Sequence, residues 1–285
     1  MNFTTFPLFL SWAGQKLGKG PHAIVLCEDE SEIASTVEHT LTCGFRKVIV
    51  IGENLPDLSK NPQVVTVDHR FSNQREAVDL VNQIIPVATG QWLYYCFNAE
   101  YLFFPFFETR TVGEMLVFCT EERRESVLTF TVDLYARYLW DDKDAINRDD
   151  AYFDRSGYFA TSRKDEWGND LDRQLDFFGG LRSRFEEHVP AARRKIDRVS
   201  IFKAKKGLTL NADHTINDPE YNTFACPWHN SPTASIASFR TAKALKRNPS
   251  STFEIESFYW HGSAPFTWKS QQLMEAGLME PGQWY

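Results

Sequence analysis

Short apolar runs alternate with amphipathic segments along the first half of the chain. The segments between the runs show helical spacing, as where Ile33, Val37 and Leu41 recur every four residues. This alternation predicts an α/β fold with a mainly parallel sheet flanked by helices. Ligands of such sheets bind beyond the carboxyl ends of the strands. The runs predicted to form buried strands are residues 22–27, 47–51, 64–67, 92–97 and 127–134.

Capping residues indicate where the helices between these strands begin. Asp29 and Glu32 have the spacing of a capping box before the first of them. Thr111 and Glu114 have the same spacing and predict the start of a later helix. A further helix is predicted over residues 76–85 from its apolar side.

The alternation of apolar runs and amphipathic segments ends after residue 134. The sequence contains no internal repeat and no low-complexity linker. We therefore predict one α/β domain over residues 1–285, made of a 20–135 half and a 136–285 half, with two separate domains as the alternative. The elements predicted in the second half are an acidic loop over residues 141–154, strands over 195–203 and 208–210, a helix opened by Ser231 and Pro232 that runs to residue 245, and a helix over 269–276.

Composition and charge exclude several classes of function. Aromatic residues make up 14% of the chain, which is ample material for a large core. The net charge of −7 argues against a nucleic-acid partner. Five scattered cysteines without a C-x-x-C pair argue against a disulfide framework and favour the reducing cytoplasm. No apolar run approaches the roughly 20 residues of a transmembrane helix, so we expect a cytoplasmic protein without a transmembrane segment.

A series of motifs runs through the chain in a set order. The motifs are A-I-V-L-C-E-D-E at residues 23–30, G-F-R-K-V-I-V-I-G-E-N at 44–54, W-L-Y-Y-C-F-N-A-E-Y-L-F-F-P at 92–105, V-D-L-Y at 132–135, Y-F-D-R-S-G-Y at 152–158 and G-G-L-R-S-R at 179–184.

This order of motifs, over residues 20–245, resembles that of the glycosyltransferase family 2-like proteins in a bacterial subgroup. The resemblance implies a GT-A fold and the transfer of a sugar from a nucleotide-sugar donor to an acceptor, which would be a saccharide, a lipid or a protein. It assigns the nucleotide to the 20–135 half and the acceptor to the 136–285 half. The donor sugar, the acceptor and the stereochemical outcome stay open.

The sequence departs from the family at the segment that holds the metal ion. In the family, a D-A-D-E segment binds a divalent cation, which stabilises the charge of the leaving diphosphate. Phe97, Asn98, Ala99 and Glu100 occupy those positions here. Only Glu100 keeps a charged oxygen, so we predict weak or absent Mg²⁺ or Mn²⁺ binding beside it. A purely structural carboxylate is an equal interpretation of Glu100, and both a metal-independent transferase and an inactive relative stay open.

The resemblance places the nucleotide against the loops that follow the first, second and fourth strands. Cys27, Glu28, Asp57 and Asn98 are the candidate contacts there. Carboxylate and amide oxygens accept hydrogen bonds from ribose hydroxyls and from the base. A turn is the alternative role for Asp57, as a helix cap is for Asp29.

Four basic or histidine side chains are candidates to face the diphosphate or the acceptor. Arg182 and Arg184 would neutralise the diphosphate if no metal is bound. The resemblance brings His214 and His229 near the diphosphate or the metal. The alternatives are a helix start with solvated arginines, and histidines that are packed or on the surface.

An inverting transferase also needs a base that takes the proton of the acceptor hydroxyl. Asp133, predicted at a strand end, and Asp154, between aromatic residues, are the candidates. The sequence contains no P-loop, no G-x-S-x-G and no H-E-x-x-H motif. Three classes of function therefore remain: a transferase, a non-catalytic relative that keeps the nucleotide pocket, and a scaffold without a pocket.

Overall fold

The computed structural model describes residues 1–139 and 142–284, apart from the side chains of Gln74 and Lys143. Its strands are β1 (Asn2–Phe3), β2 (His22–Leu26), β3 (Lys47–Gly52), β4 (Val64–Asp68), β5 (Trp92–Phe97), β6 (Glu100–Phe103), β7 (Ser126–Ala136), β8 (Ala151–Asp154), β9 (Phe159–Lys164), β10 (Asp170–Phe178), β11 (Asp197–Lys203), β12 (Ala234–Ser238) and β13 (Ser263–Pro265). Its α-helices are α1 (Phe6–Lys16), α2 (Ile33–Thr42), α3 (Gln74–Ile84), α4 (Val112–Glu121), α5 (Leu181–Arg184), α6 (Arg240–Arg247), α7 (Pro249–Thr252) and α8 (Ser270–Glu275).

Among the described residues, eleven strands form one mixed sheet, in the order β1-β4-β3-β2-β5-β11-β7-β12-β6 with β8 and β13 attached beside β7. From β1 to β5 in this order, every strand is parallel to its neighbour. β11 then runs antiparallel between β5 and β7, β12 is parallel to β7, and β6 is antiparallel to β12. β9 and β10 form a separate hairpin. The chain is thus an α/β protein with a large, mostly parallel sheet, as predicted.

Alternate residues of the central strands face two different hydrophobic cores. On β2, Ile24 and Leu26 belong to one core, while Ala23 and Val25 belong to the other. α1 and α3 contribute to the first core, and α2 and α4 to the second. The parallel strands are therefore buried on both faces, which explains why they appear in the sequence as continuous apolar runs.

Most elements predicted in the first half are confirmed. The five predicted strands are present as β2, β3, β4, β5 and β7, and the helix predicted over residues 76–85 is α3. The capping box before α4 is also present, since Thr111 accepts a hydrogen bond from Glu114 N, and the Glu114 carboxylate accepts one from Thr111 N at 2.7 Å. These features depend on residues close in sequence, which local patterns describe well.

The capping box predicted at Asp29 is wrong. The residue before α2 is Glu32, which has a left-handed φ of 56° and makes no side-chain cap. Asp29 instead accepts a hydrogen bond from Ser31 N at 2.9 Å. Its second role, in an ion-pair cluster, is described below.

The helix predicted from Ser231 is wrong over its first part. Residues Ala234–Ser238 form β12, which lies fully buried between β6 and β7. The helix α6 begins only at Arg240 and ends before Pro249, as predicted. Burial in the sheet has therefore outweighed the local Ser-Pro signal for a helix start.

Other predictions in the second half have mixed outcomes. The strand over residues 195–203 is β11, and the helix over 269–276 is α8, but residues 208–210 form only an isolated bridge from Leu210 to Ile216. The predicted acidic loop ends in β8, and its first residue, Asp141, lies outside the described residues. No helix within 1–139 or 142–284 combines the length and hydrophobicity needed to cross a membrane.

We expect Thr111→Ala to lower the free energy of unfolding by about 1 kcal/mol, because it removes the cap of α4. The measurement is urea denaturation followed by circular dichroism. Thr42→Ala is the control, since Thr42 is exposed at the end of α2 and its hydroxyl donates to the Glu38 carbonyl. An equal loss in both variants would contradict the capping role.

Candidate functional site

A cleft of about 660 Å³ lies at the edge where the parallel strands end. β2, β3 and β4 run in the same direction, so the loops that follow them meet at this edge. Carboxylates dominate its lining, in keeping with the acidic chain. The lining residues are Cys27, Glu28, Asp29, Glu30, Ser31, Glu32, Glu53, Asn54, His69, Phe71, Asp144, Ile146 and Arg247.

Glu28 and Arg240 form a two-pronged ion pair beside this cleft. Arg240 donates through Nε to Glu28 Oε2 at 2.7 Å and through Nη2 to Oε1 at 2.6 Å. The third nitrogen of the guanidinium, Nη1, makes no hydrogen bond with any described residue. The guanidinium carbon lies 3.7 Å from the ring centre of Phe97, at the end of β5. Arg240 thus stacks on one residue and pairs with another, while both N–H groups of Nη1 stay available.

Asp29 is held by two further cations of α6. Lys243 Nζ lies 2.9 Å from Asp29 Oδ2, and Arg247 Nη1 lies 2.7 Å from the same oxygen. Burial opposes ionisation of Asp29, but the hydrogen bond and charge of Lys243 outweigh it and hold the pKa well below its usual range. With Arg240, these cations recur at helical spacing, so one face of α6 contacts the loop after β2.

Asn98, a candidate nucleotide contact, holds the same loop through hydrogen bonds from the interior of the protein. It is fully buried, and its Nδ2 donates to Asp29 Oδ1 at 2.7 Å and to the Ser31 carbonyl at 2.8 Å. Its Oδ1 accepts from Glu28 N at 3.0 Å. These bonds use both hydrogens of the amide, so Asn98 fixes the shape of the loop that carries the cleft's carboxylates.

Glu100 is committed to a buried ion pair with Arg198. Both side chains are nearly inaccessible, at 1% and 5% exposure, and Arg198 donates to both Glu100 oxygens. Phe97 N and Ser238 Oγ also donate to this carboxylate, at 2.9 and 3.2 Å. Burial raises the pKa of Glu100, but the charges of Arg198 and Arg240, together with the hydrogen bonds from Arg198 and Phe97 N, outweigh it and lower that pKa.

The segment from Phe97 to Glu100 does not fit a divalent metal ion. The oxygens of Glu100 already accept bonds from Arg198, Ser238 and Phe97 N, and the Arg240 guanidinium covers the Phe97 ring. Within residues 1–139 and 142–284, no group of three or more His, Cys, Asp or Glu side chains is arranged to hold a metal. Weak or absent binding of a divalent metal ion beside Glu100 therefore stays a prediction, which titration with the metal can test.

His214 lies at the same edge of the sheet. Its Nδ1 is 2.9 Å from the Tyr95 hydroxyl, and its ring stacks on Tyr95 and meets Phe97 edge-on. Burial, together with the charges of Arg198 and Arg240, lowers the pKa of His214 to about 3. The imidazole is therefore neutral at pH 7.

His229 lies at the opposite edge of the sheet from His214. It precedes β12, which starts at the edge where β7 also starts, and its Nε2 is 2.8 Å from Glu122, just after α4. The structure thus does not bring the two candidate histidines together.

Cys27 and Asp57 differ in their relation to the cleft. Cys27 lines it, but the thiol is buried, which raises its pKa. Asp57 is exposed and accepts a hydrogen bond from Ser59 N at 3.0 Å, in the turn that was its alternative interpretation. It is not among the residues of the described chain that line the cleft.

Asp133 and Arg182 are partners, although sequence analysis gave them separate roles. Asp133 is buried within β7 rather than at its end, and Arg182 reaches it through Nε at 3.3 Å and through its backbone N at 3.4 Å. Burial raises the pKa of Asp133, and the Arg182 charge only partly offsets this. Gly180 allows the contact, because it has a φ of 65° and an added Cβ would lie 3.1 Å from Asp133 Oδ2.

Asp154 and Arg184 form a second such pair. Arg184 Nε donates to Asp154 Oδ2 at 2.8 Å, and the Tyr135 hydroxyl and Trp260 Nε1 donate to Oδ1 at 2.6 and 2.7 Å. The arginines of the G-G-L-R-S-R motif therefore neutralise the two candidate bases in this structure. They are not free cations.

The site predicted from the sequence lacked the three cations that pair with Glu28 and Asp29 on the loop after β2. Arg240, Lys243 and Arg247 recur at spacings of three and four, a basic helical face that the sequence displays. Arg198 gave no local signal, since it is one of several basic residues between 193 and 206.

No protein-family model matches this chain, and no curated protein matches it at a significant level.

We expect Glu100→Gln to lower the free energy of unfolding by about 3 kcal/mol or more, because it leaves the Arg198 charge buried without its partner. Urea denaturation measures the loss. Glu38→Gln, at an exposed position of α2, is the matched control and should change little. The double variant Glu100→Leu, Arg198→Met should recover much of the loss, and failure to do so would contradict an electrostatic cause.

His214 should make the protein less stable in mild acid. Its pKa is near 6.5 in an unfolded chain and about 3 in the fold, so between these values the unfolded state binds the extra proton. Stability is therefore full above pH 6.5 and falls as the pH drops towards 3. We expect His214→Gln to lose less stability than the wild type between pH 7 and pH 5 in urea denaturation. Burial also lowers the pKa of His39, to about 4. The His214→Gln variant should therefore still lose some stability as the pH falls.

Proposed function

We propose that this protein is a glycosyltransferase-like protein that binds a nucleotide sugar in the carboxyl-edge cleft without a divalent cation. The observation that carries the proposal is the Arg240 guanidinium, which stacks on Phe97 where the family has a metal-binding aspartate and has an unengaged Nη1. The α/β sheet and the ordered motifs support the GT-A assignment, which is itself part of the proposal.

The two kinds of charge at the cleft suit the two parts of a nucleotide sugar. The base and ribose present N–H and O–H donors, which the carboxylates of Glu28 and Glu53 can accept. The diphosphate is anionic, and the guanidinium of Arg240 provides planar donors for it. Arg182 and Arg184, the earlier candidates for this role, are engaged with Asp133 and Asp154.

In the proposed reaction, the acceptor oxygen attacks the anomeric carbon and the bond from that carbon to the diphosphate breaks. The electron pair leaves with the nucleoside diphosphate, and the acceptor proton passes to a base. Arg240 would stabilise the charge that develops on the leaving group. Asp133 and Asp154 stay the candidate bases, and each would first have to part from its arginine.

A non-catalytic relative that binds the nucleotide sugar is the second candidate. The feature that favours it is the internal pairing of Glu28, Glu100, Asp133 and Asp154, each with an arginine of the same chain. A carboxylate that is paired with an arginine is not free to take the proton of an acceptor hydroxyl.

Calorimetric titration with a panel of nucleotide sugars tests the proposal, in buffer with Mn²⁺ and in buffer with a chelator. We expect binding that is similar in both buffers and that Arg240→Ala weakens by about 10-fold or more, since a charge-assisted bond contributes about 1.5–3 kcal/mol. Arg182→Ala should weaken it less, and Arg46→Ala, at an exposed position, should not change it.

Each outcome of the titration separates the candidates. Binding with release of nucleoside diphosphate supports the transferase, and binding without turnover supports the non-catalytic relative. Binding that the chelator abolishes and Arg240→Ala leaves intact would overturn the metal-free site. The absence of binding to any member of the panel would overturn both candidates.

A further inference from the structure

Cys226 is set apart from the other cysteines by its exposure and its neighbours. Cys27, Cys43, Cys96 and Cys119 are buried, whereas Cys226 is partly exposed. It lies in the short loop that an isolated bridge from Ala225 to Asn230 closes before β12. Trp228, in the same loop, is 83% exposed, so reagents in solvent can reach the loop.

His229 joins the Cys226 thiol to a carboxylate. Its Nδ1 is 3.3 Å from Cys226 Sγ, and its Nε2 is 2.8 Å from Glu122 Oε2. The Asn230 carbonyl also lies 3.1 Å from Nδ1. Glu122 therefore orients the ring so that Nδ1 faces the sulfur, while the Cys226 thiol also donates to the His229 carbonyl at 3.3 Å.

A buried arginine, Arg124, is held near this loop by its hydrogen bonds to Thr223. Arg124 is 4% exposed, and its Nε has no hydrogen-bond partner among the described residues. Burial lowers the pKa of Arg124, and the charge of Glu220 partly offsets this. Arg173, which donates to the Ala225 carbonyl at 2.9 Å, adds a second cation near the loop.

The carboxylates near this loop are held by these cations. Glu122 pairs with His229, while Glu220 pairs with Arg124 and Arg173. The surroundings of Cys226 are therefore those of a reactive thiol: partly exposed, with cations close by. The four buried cysteines lack this setting, and burial raises the pKa of each of them.

We propose that Cys226 is a thiol-modification site, at which His229 stabilises the thiolate and a low-molecular-weight disulfide is the reaction partner. The thiolate attacks one sulfur of the disulfide, and a new S–S bond to Cys226 forms as the old S–S bond breaks. The leaving sulfur takes the electron pair and then a proton. Cys226 is thereby oxidised to a mixed disulfide, and the reagent is reduced to one thiol. The site lies at the opposite edge of the sheet from the cleft and does not depend on the proposed sugar transfer.

Mass spectrometry of the folded protein after exposure to glutathione disulfide tests the site. We expect one adduct, which peptide mapping assigns to Cys226 and which Cys226→Ser abolishes. A reaction spread over several cysteines, or no adduct at all, would overturn the proposal.

Substitution of His229 and Glu122 tests the role of the charges. We expect His229→Gln to slow the reaction at pH 7 by about 10-fold or more and to change its pH–rate profile, because the thiol loses the imidazole that faces its sulfur. Glu122→Gln should slow it less, and Glu121→Gln, at the exposed neighbour, should not slow it. Thermal melts establish that each variant is folded. A folded His229→Gln variant with the wild-type rate and pH profile would show that the imidazole has no part in the reactivity.

Discussion

The ion pair between Glu100 and Arg198 is the interaction on which the carboxyl edge of the sheet depends. Glu100 opens β6, Arg198 belongs to β11, and Phe97 N and Ser238 add bonds from the ends of β5 and β12. Four strands therefore meet at one carboxylate. A pair this deeply buried contributes little net stability, but the loss of one partner costs several kcal/mol, so the position tolerates few single changes. Its main effect is to fix where the strands end relative to one another.

The helix α6 extends this arrangement of charges towards solvent. Its cations neutralise Glu28 and Asp29 on the loop after β2, while Asn98 holds that loop from inside the fold. A chain with a net charge of −7 thus places three cations of α6 against carboxylates at the edge where ligands of α/β sheets bind. The proposed diphosphate contact needs no additional cation, because Arg240 is already in place and keeps a donor unengaged.

Sequence analysis found the features that depend on neighbouring residues. The five strands of the first half and the cap of α4 are of this kind. It missed the pair of Glu28 with Arg240, whose members are 212 residues apart and meet only in the folded chain. The resemblance brought both His214 and His229 near the diphosphate or the metal, because an order of motifs does not indicate which edge of a sheet a loop reaches. It also assigned Asp133 and Arg182 to different tasks, since a pattern of residues gives no sign of which charges neutralise each other. β12 was mistaken for a helix because its burial between two strands is a tertiary property.

The position of β11 has a consequence for how the protein folds during synthesis. β5 and β7 are separated in the sheet by a strand that the ribosome produces only at residues 197–203. Until then, β5 and β7 each expose an edge with unpaired backbone groups, although both edges are buried in the complete sheet. Exposed strand edges of this kind favour association with other chains. A nascent chain or fragment that stops short of this strand should therefore depend on chaperones, whereas the complete sheet does not expose these edges. The order of strands in the sheet therefore differs from the order of synthesis, since β11 enters between β5 and β7 after both have been made, and β12 later enters between β7 and β6.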